Sequence, residues 1–218
     1  MTENETNRQD PEEEQKKKFE ILCGVVIAFF AAVLAVTDLG GSKFGDDEII
    51  AHNEKANAYQ WYQSKSIKQS LAEGQRDLLK SFLEAGALHG KAAEQTRKTV
   101  EKLDREAARY AKEKKEILLG SAAVGKENWV QDIDGTFGKV VGAKQWEAHA
   151  EALGEAGDIF DYATLFLQLC IVLGAIAIVM QIGRMKWVFF VGMVAFGIIG
   201  TVISVMAYLK AFSAPLGG

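Results

Sequence analysis

Two long apolar stretches in the last third of the chain decide its fold. They are Tyr162–Ile182 (YATLFLQLCIVLGAIAIVMQI) and Trp187–Leu209 (WVFFVGMVAFGIIGTVISVMAYL). Each is long enough to cross a bilayer as a helix, which takes ~20 apolar residues. Only the four residues 183–186 (GRMK) separate them. The sequence therefore predicts two transmembrane helices, 159–182 and 187–209, joined by a tight turn at the membrane surface.

A third apolar stretch, 19–39 (FEILCGVVIAFFAAVLAVTDL), follows the basic cluster Lys16–Lys18. A secretory signal is the alternative, but the apolar core is longer than usual for one and a long acidic tail precedes it. We therefore predict an uncleaved transmembrane helix at 19–39. Residues 1–18 contain almost nothing apolar and are predicted to be disordered. Residues 210–218 form a short C-terminal tail.

Small side chains recur at helical spacing within this first span. A stripe of this kind lets another helix approach closely in lipid. Ordinary use of alanine in a membrane helix is the alternative. The candidate contact residues are Gly24, Ala28, Ala32 and Ala35.

Basic residues near the spans predict the orientation. Lys16–Lys18 precede the first span, and Arg184 and Lys186 lie between the other two. With three spans these clusters share one side, which the positive-inside rule assigns to the cytoplasm. We expect a bacterial cytoplasmic (inner) membrane protein. Its N-terminus is then cytoplasmic, and its middle region and C-terminus are periplasmic.

The middle region, 40–158, is charged and is predicted to be helical outside the membrane. Helices are expected at about 46–88, 91–119 and 143–158, with a glycine-rich loop at 120–142. Gly40-Gly41-Ser42 is expected to break or kink the first helix. The overall prediction is an all-α membrane protein with three transmembrane helices. A long helical hairpin, similar to a coiled coil, lies between the first and second.

The stretch 91–119 carries the clearest periodicity in the chain. Apolar residues recur at alternating steps of four and three, which is a heptad seam. This seam either pairs with the preceding helix of the same chain or with copies from other subunits. Ile67, Leu71, Leu78, Phe82 and Ala85 form an apolar face on that preceding helix. The candidate residues of the seam are Val100, Leu103, Ala107 and Tyr110.

An aromatic and basic cluster is unusual for a coiled coil. Tyrosine and tryptophan bury a large area while keeping a polar tip, which suits an interface. A contact within the hairpin and a binding surface for a partner are both compatible with it. The cluster contains Tyr59, Trp61, Tyr62 and Lys65.

No arrangement of side chains predicts catalysis, a metal site or a cofactor. His52, His89 and His149 lack ligand spacing, and the two cysteines fall in apolar stretches. The net charge of −4 and the alternating charge signs along 91–119 argue against a nucleic-acid partner. The chain is therefore predicted not to be an enzyme.

Polar residues inside the predicted spans are sparse. Such residues usually form hydrogen bonds across helix interfaces. No acid or base lies at the centre of a span, so an ion relay lacks its expected part. The candidate intramembrane contacts are Gln168, Thr201 and Ser204.

Three sequence features together resemble a bacterial family, domain of unknown function 4337. They are 55–68, from Lys55-Ala56-Asn57 to Lys68, the charged helix ending at 110–114, and the C-terminal hairpin with Phe166-Leu167-Gln168 and 173–177. This family has tryptophan where Tyr59 stands here, and the stretch 120–142 is longer than the family needs. The resemblance implies a bacterial membrane protein with three spans, and it implies no activity.

Two functions follow as expectations. The first is a non-enzymatic scaffold or adaptor, embedded in the lipid bilayer, that forms homo-oligomers or binds another membrane protein through its extramembrane helices. The alternative is a subunit of an oligomeric channel or transporter, with Thr164, Gln168, Thr201 and Ser204 along the path.

Overall fold

The computed structural model describes residues 11–180 and 183–215, with side chains from Glu13 onward. The described residues contain five α-helices: α1 (Pro11–Glu84), α2 (Gly90–Leu119), α3 (Ser121–Val124), α4 (Ala143–Val179) and α5 (Gly183–Phe212). A 3₁₀ turn, Lys126–Asn128, and two antiparallel two-residue strands, β1 (Asp132–Ile133) and β2 (Thr136–Phe137), lie between α3 and α4. The prediction of an essentially all-helical chain is confirmed.

Three of the helices are long and apolar enough to cross a membrane. They are α1, α4 and α5, the helices that contain the three predicted spans. Many of their apolar side chains are exposed, as lipid-facing residues would be.

The chain forms two compact units. The first comprises the residues up to Asp47 together with Ala152–Ala214, and the second consists chiefly of Glu48–Glu151. The first unit therefore contains the apolar parts of α1 and α4 and nearly all of α5. The second contains the rest of α1, α2 and the segment that leads into α4.

The predicted helix break at Gly40-Gly41-Ser42 is wrong, because α1 is helical throughout these residues, and the alternative of a kink there stays a prediction. The two glycines have a packing role instead. A Cβ at Gly40 would collide with the ring and hydroxyl of Tyr208, and one at Gly41 would lie 3.4 Å from Phe160. The missing side chains let α4 and α5 approach α1 closely, and the surrounding contacts hold the helix together.

Two further boundaries differ from those predicted. Residues 11–18 are helical, whereas residues 1–10, the rest of the predicted disordered tail, lie outside the described residues. Proline is favoured in the first turn of a helix, and an ion pair between Lys18 and Glu14 (2.8 Å) supports this one. Residues 183–186 are predicted to be a turn between helices, but they form the first turn of α5. Helix α4 ends earlier than predicted, at Val179.

Candidate interaction surfaces

The predicted seam of α2 packs against α1 within the second unit. Leu103 and Ala107 form a buried cluster with Ala72, and Leu79 packs against it. Val100 is buried and Tyr110 is half-buried on the same face of α2. The seam therefore has a partner within the same chain.

Ion pairs and hydrogen bonds define the direction of this helix pair. The Lys65 Nζ atom lies 2.6 Å from Oε2 of Glu113, and Nη1 of Arg76 lies 3.1 Å from Oδ1 of Asp104. Residue numbers rise along α1 as they fall along α2, so the helices run antiparallel. Lys114 donates a hydrogen bond to Ser66 and lies over the ring of Tyr62, which was part of the predicted aromatic cluster.

The face of α1 that contacts α2 is not its most apolar face. Its buried and half-buried positions recur at steps of four and three, as in a heptad seam. Four of these eight side chains are polar, so sequence periodicity in apolar residues does not detect this face. The positions are Ala58, Tyr62, Lys65, Gln69, Ala72, Arg76, Leu79 and Leu83.

The apolar face identified from the sequence is exposed instead. Ile67, Leu71, Leu78 and Phe82 are between 45% and 62% exposed, on the opposite side of α1 from the seam. We call these four residues the α1 stripe. Gly74 lies in its middle, and a Cβ there would meet nothing within 4 Å.

Tyr59 contacts a residue at the start of α4 within the second unit. Its hydroxyl donates a hydrogen bond to Glu147 (3.2 Å), and Lys55 forms an ion pair with the same carboxylate (2.8 Å). The hydrogen bond from Lys55 lowers the pKa of Glu147 and raises the pKa of Lys55. The pKa of Tyr59 is raised mainly by its partial burial and, to a smaller degree, by its hydrogen bond to Glu147. Trp61 is half-buried.

A buried carboxylate organises the glycine-rich segment after α2. Glu116 is fully buried and accepts hydrogen bonds from the Ser121 hydroxyl (2.7 Å) and from the backbone amides of Val130 (2.8 Å) and Gln131 (2.9 Å). The Ser121 hydroxyl in turn accepts a hydrogen bond from the amide of Val140. These bonds connect both ends of the segment to the last turn of α2.

The first unit is held together by apolar packing with one interhelical hydroxyl pair. Phe30, Leu167, Cys170 and Met193 form its central cluster. Thr37 is fully buried and its hydroxyl lies 2.8 Å from that of Ser204, a predicted contact residue. The Thr37 hydroxyl donates to the Val33 carbonyl, so Ser204 is the donor between the two hydroxyls.

The other predicted intramembrane contacts have different surroundings. Gly24, Ala28, Ala32 and Ala35 are exposed, and a Cβ at Gly24 would meet nothing within 4 Å. Gln168 is exposed on α4, while Thr201 donates a hydrogen bond to the Gly197 carbonyl of its own helix. These four positions are exposed in the described chain, and their contact with another helix stays a prediction.

Aromatic side chains gather at both ends of the first unit. Near the C-terminal end of α5, Phe44, Phe160 and Tyr208 pack together, and Tyr208 donates a hydrogen bond to the Val36 carbonyl. At the other end Phe19 packs on Trp187 and Phe190, with ring centres 5.2 and 5.6 Å apart, respectively.

The described residues contain no group of three or more histidine, cysteine, aspartate or glutamate side chains placed to hold a metal ion. Three features of the described residues are candidates for binding. These are the α1 stripe, the small-residue stripe and the cavity at the Phe19 end of the first unit.

A family model described as a domain of unknown function, DUF4337, matches residues 19–210. The chain belongs to this family. The match begins at the first apolar residue of α1 and ends just after the third predicted span, so it includes both units. No curated protein and no solved structure is significantly similar to the chain.

Membership of DUF4337 confirms the resemblance found in the sequence. The description of the family assigns no activity. The surfaces described above are therefore the guide to the function of this DUF4337 protein.

Three residues that matter for the interiors of the two units have no clear signal in the sequence. Thr37 was overlooked because it lies at the end of a span, where a hydroxyl is unremarkable. Glu116 was grouped with the solvent-exposed charges of α2, since its sequence neighbours alternate in sign. Gly40 was interpreted as a helix breaker, and only the position of Tyr208 shows its packing role.

Proposed function

We propose that this protein is a non-enzymatic membrane scaffold that pairs with a second copy of itself through the α1 stripe. The observation that carries the proposal is the exposure of Ile67, Leu71, Leu78 and Phe82 in a unit whose other exposed residues are largely polar. Clustered apolar residues on such a surface mark a protein–protein contact.

The stripe fits a second copy because it is symmetric about its centre. In a two-fold pair of antiparallel helices centred between Gly74 and Gln75, Ile67 faces Phe82 of the partner copy and Leu71 faces Leu78. This is the self-complementarity that an isologous interface requires. The same pairing brings Gly74 to the crossing point, where a missing side chain lets two backbones approach.

The glycine itself supports this geometry. A glycine inside a helix costs ~0.5–1 kcal/mol relative to alanine. Folding of the single chain does not need it, since a Cβ at Gly74 would meet open space. A close helix crossing gives this residue a purpose.

The proposal places α1, α4 and α5 across a bacterial cytoplasmic membrane, with the N-terminus in the cytoplasm. The positive charges of Lys16–Lys18, Arg184 and Lys186 support this orientation. Residues 48–151, which carry the stripe, then lie on the periplasmic side together with the C-terminus. Within the bilayer, Gly24, Ala28, Ala32 and Ala35 offer a second surface for a neighbouring helix.

The channel alternative has less support. Thr201 and Ser204 line one largely apolar cavity, but Thr164 donates a hydrogen bond to Asp38 at the end of the first predicted span, and Gln168 is exposed. The four residues therefore do not line one common path.

The test is the protein mass of the particle extracted in native lipid, measured by light scattering. The wild-type chain is expected at twice its 23.9 kDa mass or a multiple of that. Leu71→Glu/Leu78→Glu places charges on both sides of the crossing and is expected to give monomers. The matched control, Gln95→Glu/Thr99→Glu, adds the same charge to exposed polar positions of α2 and is expected to keep the wild-type mass.

Two results would contradict the proposal. One is a monomeric wild-type protein. The other is a double stripe variant that assembles as the wild type does. Amide exchange of the α1–α2 pair is measured in each variant as well. Exchange at the wild-type rate shows that the pair is still folded, so a lower particle mass then reflects lost pairing of the two copies.

A further inference from the structure

A cavity of about 260 Å³ lies at the Phe19 end of the first unit. Three helices or their ends contribute to it, and its lining combines both signs of charge with an apolar wall. Lys16 and Glu20 come from α1, Lys186 comes from α5, and Ala177 and Ile178 come from α4.

The position of one of its lysines is fixed by aromatic packing. The Lys186 ammonium lies 4.9 Å from the centre of the Phe19 ring. Phe19 is buried and is held by Trp187 and Phe190. This arrangement limits the freedom of Lys186 and presents its charge beside the cavity.

The charged groups of the cavity have no ionic partners elsewhere in the described part of the chain. Within 4.0 Å of Lys16, Lys186 or Glu20 there is no oppositely charged side chain among the described residues. Among the described side chains, none competes with a ligand for these two ammonium groups and this carboxylate.

We infer that this cavity binds a phospholipid headgroup that carries both a phosphate and a primary amine, the chemistry of phosphatidylethanolamine. The lysine ammonium groups suit the phosphate. The Glu20 carboxylate suits the amine, which donates hydrogen bonds that a quaternary ammonium lacks. Ala177 and Ile178 suit the glycerol backbone and the first methylenes of the acyl chains.

This inference rests on the membrane placement proposed above and not on the pairing of two copies. The same headgroup chemistry also occurs in free phosphoethanolamine. The apolar wall favours the lipid, because only the lipid covers that wall on binding.

The experiment is native mass spectrometry of the full-length protein in detergent. Phosphatidylethanolamine, phosphatidylglycerol and phosphatidylcholine with identical acyl chains are added separately. The wild type is expected to retain phosphatidylethanolamine most tightly. Free phosphoethanolamine is added as a competitor, and displacement of the lipid at equal concentration would contradict the assignment to lipid.

Variants assign the effect to the cavity. Lys16→Ala/Lys186→Ala is expected to weaken phosphatidylethanolamine binding about 25-fold, because each basic group near lipid phosphate contributes a factor of roughly five. Lys16→Arg/Lys186→Arg keeps the charge and is expected to keep the binding. Glu20→Gln is expected to remove the preference for phosphatidylethanolamine over phosphatidylglycerol.

Lys43 provides a matched control, since its ammonium lies 5.3 Å from the ring of Phe44 near the far end of the same apolar segment. Lys43→Ala should leave lipid binding unchanged. An equal loss in Lys43→Ala, or a wild type that binds phosphatidylglycerol as tightly as phosphatidylethanolamine, would overturn the inference. The same spectra give the oligomeric mass, so a failure of pairing is distinguished from a failure of lipid binding.

Discussion

Both units of the protein contain exposed apolar side chains, yet the exposure has different meanings. Val191 in the first unit and Ile67 in the second are both 62% exposed. Val191 lies in a helix that is apolar on all sides, which is the pattern of a helix surrounded by lipid. Ile67 lies among charged and polar neighbours such as Lys65, Lys68 and Gln69, so lipid is a poor explanation there and a protein surface is a better one.

The interiors of the two units differ as well. Phe30, Leu167 and Met193 give the first unit a core of apolar side chains with a single buried hydroxyl pair. The second unit buries mostly small apolar side chains, such as Ala72 and Ala107, and adds ion pairs and a buried carboxylate. The comparison teaches that polar contacts direct the fold outside the predicted membrane segments, while close packing directs it within them.

The largest expected effect comes from removing the buried carboxylate of the second unit. Glu116→Ala leaves the amides of Val130 and Gln131 and the Ser121 hydroxyl without their acceptor. The expected cost is about 3 kcal/mol, since each orphaned buried donor costs ~1–3 kcal/mol. Amide exchange of residues 121–140 should rise by two orders of magnitude. Glu106→Gln, at a more accessible position of α2, should leave it unchanged, and unaltered exchange in Glu116→Ala would refute the role given to Glu116.

The next effect tests close packing in the first unit. Gly40→Leu should destabilise it by about 1–3 kcal/mol, because overpacking forces Tyr208 and the backbone to move. Gly24→Leu has open space around it and should leave the melting temperature in detergent unchanged. Equal melting temperatures for the two variants would mean that α1 does not approach α5 as described.

Gly40 and Gly24 show which features of the first unit can be predicted from the sequence. Gly24 lies inside a predicted span, whereas Gly40 lies just past its end, where the sequence predicts a break or a kink and the structure has continuous helix. Their different roles depend on which residues of α4 and α5 lie opposite, and no local pattern contains that information. In the second unit the seam of α2 follows from its apolar period, whereas its partner face on α1 does not, since Lys65, Gln69 and Arg76 carry no hydrophobic signal.

A smaller effect concerns the hydroxyl pair of the first unit. Thr37→Val, Ser204→Ala and the double variant form a thermodynamic cycle. The expected coupling is ~0.6 kcal/mol and at most ~1.7 kcal/mol, as for other hydrogen bonds between membrane helices. The measurement is unfolding in mixed micelles. Additive single effects would show that the two hydroxyls do not interact.

The smallest effect is the pH dependence of the contact between α1 and α4 in the second unit. The pKa of Glu147 in the folded protein is lowered from 4.5, so its contribution is present above that value. It is lost as the pH falls through the lowered value. The measurement is amide exchange of the wild type and of Glu147→Gln over a range of pH. The stability difference between the two proteins should shrink below about pH 4.5. A difference that grows toward acid pH would contradict the ion pair with Lys55.

The central claim, that two copies meet at the α1 stripe, is tested most directly by cross-linking through Gly74→Cys. The native cysteines, Cys23 and Cys170, are buried in the first unit and contribute little background. The account predicts rapid formation of a disulfide-linked dimer in the membrane, because the two-fold axis passes beside residue 74. Thr99→Cys, exposed on α2, should stay monomeric. Slow cross-linking at position 74, at or below the rate at position 99, would contradict the account.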